Sequence, residues 1–408
     1  MKLTVRFRGH QDLPVVGILA SDARGRVFFE FDPAWRGYGL DLSPIHFPLN
    51  TPGTLTTGDP AFSPLFGLFD DSLPDWWGQR IMRLHFEEMN MPWNEVGPLE
   101  KLACQGAFAL GALAYEPDLS PNSYRETIVT EVASLVGSAR DLLRGDSGKI
   151  IPALIRGGLS PGGAQPKALI SINEDFSQAL AGGGETPPGF SRWLVKFQID
   201  PEDHLCRQEH AISLMAAAAG IRVPETRLFE TPDGAAHFMS RRFDRVPSGP
   251  LHLHSYAGLT HTPGRDLIDY SDLIDLTRDL TGRETEIEEM FRRAVFNIAI
   301  ANDDDHARNH AFLMDSAGEW KLSPAYDMTR TGYALGSGFR AAGVMGKYSK
   351  LGLADLRALA SSQGLRKIDG QIGAVLDTVR RWPEFAVKSG LKETEVSLLR
   401  DEFPAMRW

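Results

Sequence analysis

Asn302-Asp303-Asp304-Asp305-His306-Ala307-Arg308-Asn309-His310 is the stretch on which the reading of this chain turns. Three carboxylates, two amides and two imidazoles crowd into nine residues, far more oxygen ligands and proton acceptors than a solvated turn needs. Asp304 and Asn309 are five positions apart, the Asp-to-Asn spacing of a protein-kinase catalytic loop. There the Asp accepts the proton of the substrate hydroxyl and the Asn holds a metal ion. Asp303 and Asp305 stand at the wrong spacing for that pairing.

Downstream, Ala311 to Met314 and Trp320 to Leu322 bracket Asp315-Ser316-Ala317-Gly318-Glu319, a predicted hairpin, and the chain then reaches Tyr326-Asp327-Met328. A catalytic loop, a hairpin and a second aspartate is the kinase order, with Asp327 where a second metal-binding Asp would stand. Upstream, Ile287, Met290, Phe291, Ala294, Val295 and Ile298 recur at helical spacing and predict one buried face of a helix over 284–301. Further helices are predicted over 271–280, 353–362 and 367–381.

A strand carrying an isolated lysine, Trp193-Leu194-Val195-Lys196-Phe197, is followed by a predicted helix over 204–219. A lysine in an apolar strand is costly unless it pairs with phosphates or a helix glutamate. Glu209 is the candidate partner, and a solvated helix glutamate is the equal alternative. Two more strands are predicted over 225–230 and 236–241, leading into Arg242-Phe243-Asp244-Arg245. Before them lie the glycine-rich 157–165 and a strand over 168–172. Gly158 and Gly163 satisfy G-x-x-x-x-G, but Ala164-Gln165 stand where a Walker A loop needs Lys and Ser or Thr, so a P-loop assignment fails. His306 and His310 have the four-residue spacing of a helical zinc pair but lack the Glu of H-E-x-x-H and leave Asn309 unexplained.

The first third predicts a small meander, with strands over 3–7, 15–20 and 27–31, then a helix opening near Asp75 and running through Arg83. Its aromatic cluster, Phe66 to Trp77, reads as core. The whole chain has 408 residues, 42% apolar and 24% charged, the composition of a globular protein. With 53 acidic and 43 basic side chains it carries a formal charge of −10, which excludes a bulk electrostatic grip on nucleic acid or anionic lipid. The opening residues lack the apolar run of a secretory signal and no spanning segment appears, so a cytoplasmic location without membrane contact is expected. Cys104 and Cys206 are too few for a disulfide framework or a cysteine-rich zinc site.

These residues resemble the HipA-type serine/threonine kinases, the toxin component of bacterial toxin–antitoxin modules. Gly163-Ala164-Gln165-Pro166-Lys167 is similar to the family's phosphate loop, Trp193 to Phe197 to its lysine strand and Arg242 to Arg245 to its nucleotide hinge. Asp304 to Asn309, Tyr326-Asp327 and the 65–83 segment complete the match. The resemblance implies an α+β, protein-kinase-like (HipA-like) fold of two lobes: an N-terminal α/β region over 1–147, a β-rich nucleotide lobe over 148–245 and an all-helical lobe over 246–408. It implies ATP and Mg²⁺ as cofactors, Asp304 as catalytic base, and Asn309 and Asp327 as metal ligands. It further implies nucleotide contacts from Gly162, Gly163, Ala164, Gln165, Lys167, Lys196, Arg241, Arg242, Phe243, His306, Ala307, Arg308, Asn309, Tyr326 and Asp327. Ser160 stands where the family carries an autophosphorylated loop serine, whose dianion would repel nucleotide phosphates.

Two features depart from the family pattern. Pro161 and Pro166 stiffen the loop, and Asp305 adds a charge that either raises the Asp304 pKa or points to solvent. The implied partners are a translation-linked protein substrate, such as an aminoacyl-tRNA synthetase, and a helix-turn-helix antitoxin through which alone DNA is contacted. Two rivals are carried: a kinase-fold small-molecule or lipid-headgroup phosphotransferase, and a catalytically weak antitoxin-binding module.

Overall fold

The structure is a computed structural model that describes residues 1–56, 61–121, 128–146, 152–157, 165–176, 178–181, 186–200, 202–231, 234–331 and 339–408. Alternation of apolar and charged residues makes β1 (Lys2–Phe7), with Leu3, Val5 and Phe7 turned into the core. It pairs antiparallel with β2 (Val15–Ser21), which pairs with β3 (Val27–Phe31). β4 (Leu55–Thr56) and β5 (Leu113–Glu116) close the edges in the order β4-β3-β2-β1-β5.

Between β4 and β5 run α1 (Gly67–Asp70), α2 (Trp76–Glu88) and α3 (Pro98–Gln105). Asp75 starts α2 by accepting the Gly78 amide at 2.7 Å. Phe66, Phe69 and Trp77 are buried as predicted, whereas Trp76 is exposed and stacks under Arg80.

A second sheet has the order β10-β11-β9-β7-β8-β6, from β6 (Ile128–Thr130), β7 (Lys167–Asn173), β8 (Ala179–Ala181), β9 (Phe190–Lys196), β10 (Thr226–Glu230) and β11 (Ala236–Arg241). Its edge strand β6 comes from before residue 147. The helices α2, α4 (Val132–Arg144) and α5 (Pro152–Gly157) share one apolar core with this sheet. α6 (Leu205–Ala218) follows β9, and β12 (Arg245–Val246) with β13 (Gly249–Pro250) forms a short hairpin after β11.

The last lobe carries α7 (Tyr256–Thr260), α8 (Tyr270–Thr281), α9 (Glu284–Ala299), α10 (Leu353–Ser362), α11 (Ile368–Arg380), α12 (Trp382–Lys388) and α13 (Glu393–Glu402). The expectation of an all-helical lobe is corrected on one point. β14 (His252–Ser255), β16 (Ala311–Met314) and β17 (Trp320–Leu322) form a three-stranded sheet, and β15 (Ile268–Asp269) pairs with β18 (Ala342–Gly343). The predicted hairpin is β16–β17, and its free edge is satisfied by β14.

α9 buries the six predicted apolar residues and is enclosed on its other side as well. Buried Arg293 is held by Glu289 at 3.0 Å, as a charge in a core must be. The helix ends at Ala299, and Ala301, in the left-handed region at φ 55°, turns the chain into the Asp-rich stretch. The first sheet and the helical lobe share a single apolar core, and Gly67 sits so close to the Gly258 carbonyl that an added Cβ would lie 1.9 Å from it. Among the described residues no helix is long and apolar enough to cross a membrane.

Candidate active site

Lys196 ends β9, where strand alternation turns its side chain away from the core beneath the sheet and toward α6 and the helical lobe. Its ammonium donates to Glu209 Oε1 at 2.6 Å and to Asp327 Oδ1 at 2.5 Å. Of the two readings open for Glu209, the paired one holds. Burial opposes the Lys196 charge, but Asp327 and Glu209 outweigh it and raise its pKa. Lys196 in turn holds Asp327 down to about 2 against burial. Burial dominates at Glu209 and raises its pKa. Asp327 itself stands at φ 56°, a conformation that L residues adopt only where the surroundings enforce it.

The loop over 302–310 is pinned from several sides. Thr331 Oγ1 accepts the amides of Asp303 and Asp304 at 2.9 and 3.0 Å. Asn309 Nδ2 donates to the Asp304 carbonyl at 3.0 Å, so the two residues of the Asp-to-Asn spacing are bonded across the turn. Among the described residues no side chain hydrogen-bonds the half-buried Asp304 carboxyl, and its pKa is raised by burial, with Asp327 and Asp305 adding to the rise and His306 opposing it.

Asp305 is buried. It lies 2.9 Å from His310, accepts Asn297 Nδ2 at 2.9 Å and takes a bond from the Tyr270 hydroxyl. Its charge adds to the Asp304 shift as one of the lesser contributions, while its side chain anchors the loop to α8 and α9 instead of facing solvent.

A cavity of about 450 Å³ opens beside these groups. Lys196, Arg241, Arg242, Phe243, His306, Arg308, Asn309, Tyr326 and Asp327 line it, as do Leu169, Leu194 and Phe238 from the sheet. Tyr326 stacks on Phe243 with ring centroids 5.7 Å apart. The Arg242 guanidinium is occupied by Asp244 at 2.7 and 3.0 Å, so that residue offers the cavity mainly its backbone and stem. Ala307 is fully buried beneath the loop and Asp304 is not on the cavity wall. Gln165 packs against Cys206 and the Phe197 carbonyl. Lys167, directly across the ladder from Lys196, is 1% exposed and paired with Asp75 at 2.7 Å. Ser160, Gly162, Gly163 and Ala164 lie outside the described residues.

Sequence reasoning missed Asp70, Asp71 and Asp75, which come from the N-terminal region and line the same cavity. Asp71 accepts from Ser255 and faces His254 Nδ1 at 2.6 Å, while His254 Nε2 lies 2.9 Å from Ser43. That is the bond order of a hydrolase triad, but Ser43 is fully buried and no substrate could reach it. Only the cap signal at Asp75 was legible, and a cap announces a helix start, not an ion pair.

Among the described residues no three His, Cys, Asp or Glu side chains gather as a metal cage. Asn309 and Asp327 fit instead the sparse protein ligation of Mg²⁺, which keeps water and substrate phosphates as its other ligands.

A HipA-like C-terminal domain matches residues 159–395 and a HipA N-terminal domain matches residues 10–116. The chain belongs to the HipA family. Its fold is that of a chain in the Shewanella oneidensis MR-1 complex of the toxin–antitoxin proteins HipA and HipB with operator DNA. The two superpose with a TM-score of 0.69 over 97% of this chain and 94% of that one, at 17% identity. Among the relatives of this chain, the provisionally named kinase Y4dM of Sinorhizobium fredii is 29% identical over 38% of this chain and 42% of its own length. A provisionally named kinase of Haemophilus influenzae is 23% identical over 42% and 52%. The chain thus matches about half the length of these two. Y4mE of S. fredii, likewise provisionally named a kinase, is 24% identical over 78% of this chain and 75% of its own.

Proposed function

We propose that this HipA-family chain is an ATP- and Mg²⁺-dependent protein serine/threonine kinase and the toxin of a toxin–antitoxin pair. The observation that carries the reading is the bridge from Lys196 to both Glu209 and Asp327 on the wall of a cavity bordered by the Asp304–Asn309 turn. Lys196 would bind the α/β-phosphates, Tyr326, Phe243 and the backbone of 241–243 would hold the base, and Asn309 and Asp327 would hold Mg²⁺. When bound, the ion neutralises phosphate charge that builds in the transition state.

Asp304 would orient the substrate hydroxyl and accept its proton. The hydroxyl oxygen forms a bond to the γ-phosphorus as the bond to the β-phosphate oxygen breaks, and ADP leaves. A raised carboxylate pKa brings the base nearer to neutral pH, where proton transfer is most effective.

The substrate is read as a translation-linked protein and the partner as a helix-turn-helix antitoxin. The likeness to a chain crystallised with HipB and operator DNA supports the second of these. Ser160 is read as a site of autophosphorylation and the location as cytoplasmic. Calorimetric titration with ATP and Mg²⁺ tests the foundation. Binding that is lost in Lys196→Met supports the reading, and a wild-type protein that binds no nucleotide contradicts it.

A further inference from the structure

The cavity contains a second arrangement of charge, in which Arg308 faces two carboxylates that the catalytic reading does not use. Arg308, four residues after Asp304, donates from Nη2 to Asp70 Oδ2 at 2.5 Å, and its Nη1 lies 4.0 Å from Asp71. It lines the cavity and its side chain is 39% exposed, so an entering anion can reach it. Asp70, by contrast, cannot follow the guanidinium if it swings. It ends the short α1, it accepts a bond from Ser63 Oγ at 2.6 Å, and the first residue of α1 is wedged against Gly258. Lys167 and Asp75 repeat the pattern in buried form, with Asp75 fixed by its capping bond to Gly78.

A phosphate group competes well for such a guanidinium, because it offers two oxygens to the same planar fork that a carboxylate occupies. Arginine also stays charged whether or not its partner is present. We propose that Asp70 is a positioning residue that withholds Arg308 from the polyphosphate of a bound nucleotide, so that the Asp70–Arg308 pair and polyphosphate binding compete. The inference rests on the nucleotide reading of the cavity. It makes the N-terminal region a part of the active site, coupled to it so that each weakens the other by the same factor. A nucleotide that captures Arg308 loosens the hold of α1 on the catalytic loop, and whatever strengthens that hold weakens nucleotide binding.

Affinities of ATP and of adenosine, each with Mg²⁺, measured on the full chain, test this. Asp70→Asn should lower the ATP dissociation constant by roughly 5–20-fold and leave that of adenosine unchanged, a distinction that a merely structural defect would not make. Arg308→Gln should weaken ATP binding and abolish the gain when combined with Asp70→Asn. An unchanged or weaker ATP affinity in folded Asp70→Asn, or an equal gain for adenosine, overturns the proposal while leaving the nucleotide reading intact. If Asp70→Asn does not fold, Ser63→Ala, which loosens Asp70 without removing its charge, should shift ATP binding in the same direction by less, and no shift overturns the proposal. A wild-type chain that binds neither ligand removes the nucleotide reading and this inference with it.

Discussion

Lys196 Nζ stands 2.5 Å from Asp327 Oδ1, an ion pair that joins residues 131 apart in the chain and ties the second sheet to the helical lobe. Asp327 is also bound to this lysine more strongly than burial opposes it, so the pair has a pH signature. A carboxyl whose folded pKa lies near 2, below its ordinary 3.8, binds protons less readily in the folded state. The stability it contributes is complete above about pH 4 and is lost as pH falls toward 2. Acid unfolding of the wild type should therefore show a component of about 1–2 kcal/mol over that window. Asp327→Asn should lack it when the two are compared by circular dichroism.

Removing the lysine itself leaves two carboxylates facing each other. Lys196→Met should lower stability by about 3 kcal/mol and abolish detectable ATP binding. Lys196→Met combined with Glu209→Gln should recover part of the stability and none of the binding, as read by thermal unfolding and calorimetry.

Lys167 and Asp75 form a more deeply buried pair, at 1% and 9% side-chain exposure respectively. Lys167→Met strands the Asp75 carboxylate and should cost about 3–5 kcal/mol. Lys167→Met with Asp75→Ser, which keeps the helix cap, should regain much of the loss. Denaturant midpoints of the two single variants and the double variant measure the coupling, and strictly additive losses would count against the pair.

Gly67 meets Gly258 where a methyl group has no room. Gly67→Ala should destabilise by about 1–3 kcal/mol or more, seen as a lowered thermal midpoint, because the whole of α1 must retreat from α7.

Much of this site was legible in the sequence because its parts are local. Asp304 and Asn309 stand five apart, and their mutual hydrogen bond is the direct expression of that spacing. Lys196 was conspicuous because a charge in an apolar strand demands a partner. Glu209 was not, because a helix glutamate looks the same whether solvated or buried. Asp70, Asp71 and Asp75 were invisible for a different reason. They meet Arg308, His254 and Lys167 across 238, 183 and 92 residues, and no period or spacing encodes such a meeting. β14 escaped notice because His252-Leu253-His254-Ser255 lacks β-branched residues, and its extended form is imposed by pairing with β16.

The central claim is that Asp304 drives phosphoryl transfer from ATP, and mass spectrometry of protein phosphate after incubation with Mg²⁺-ATP tests it most directly. The wild type should accumulate phosphate on serine or threonine, with Ser160 the expected position, and Asp304→Asn should do so roughly 10²–10⁴ times more slowly while binding ATP within a few-fold of wild type. Equal phosphorylation in the two proteins would show that another residue is the base, and a wild type that binds ATP yet places no phosphate on itself or on any protein of a cell extract would contradict the kinase account.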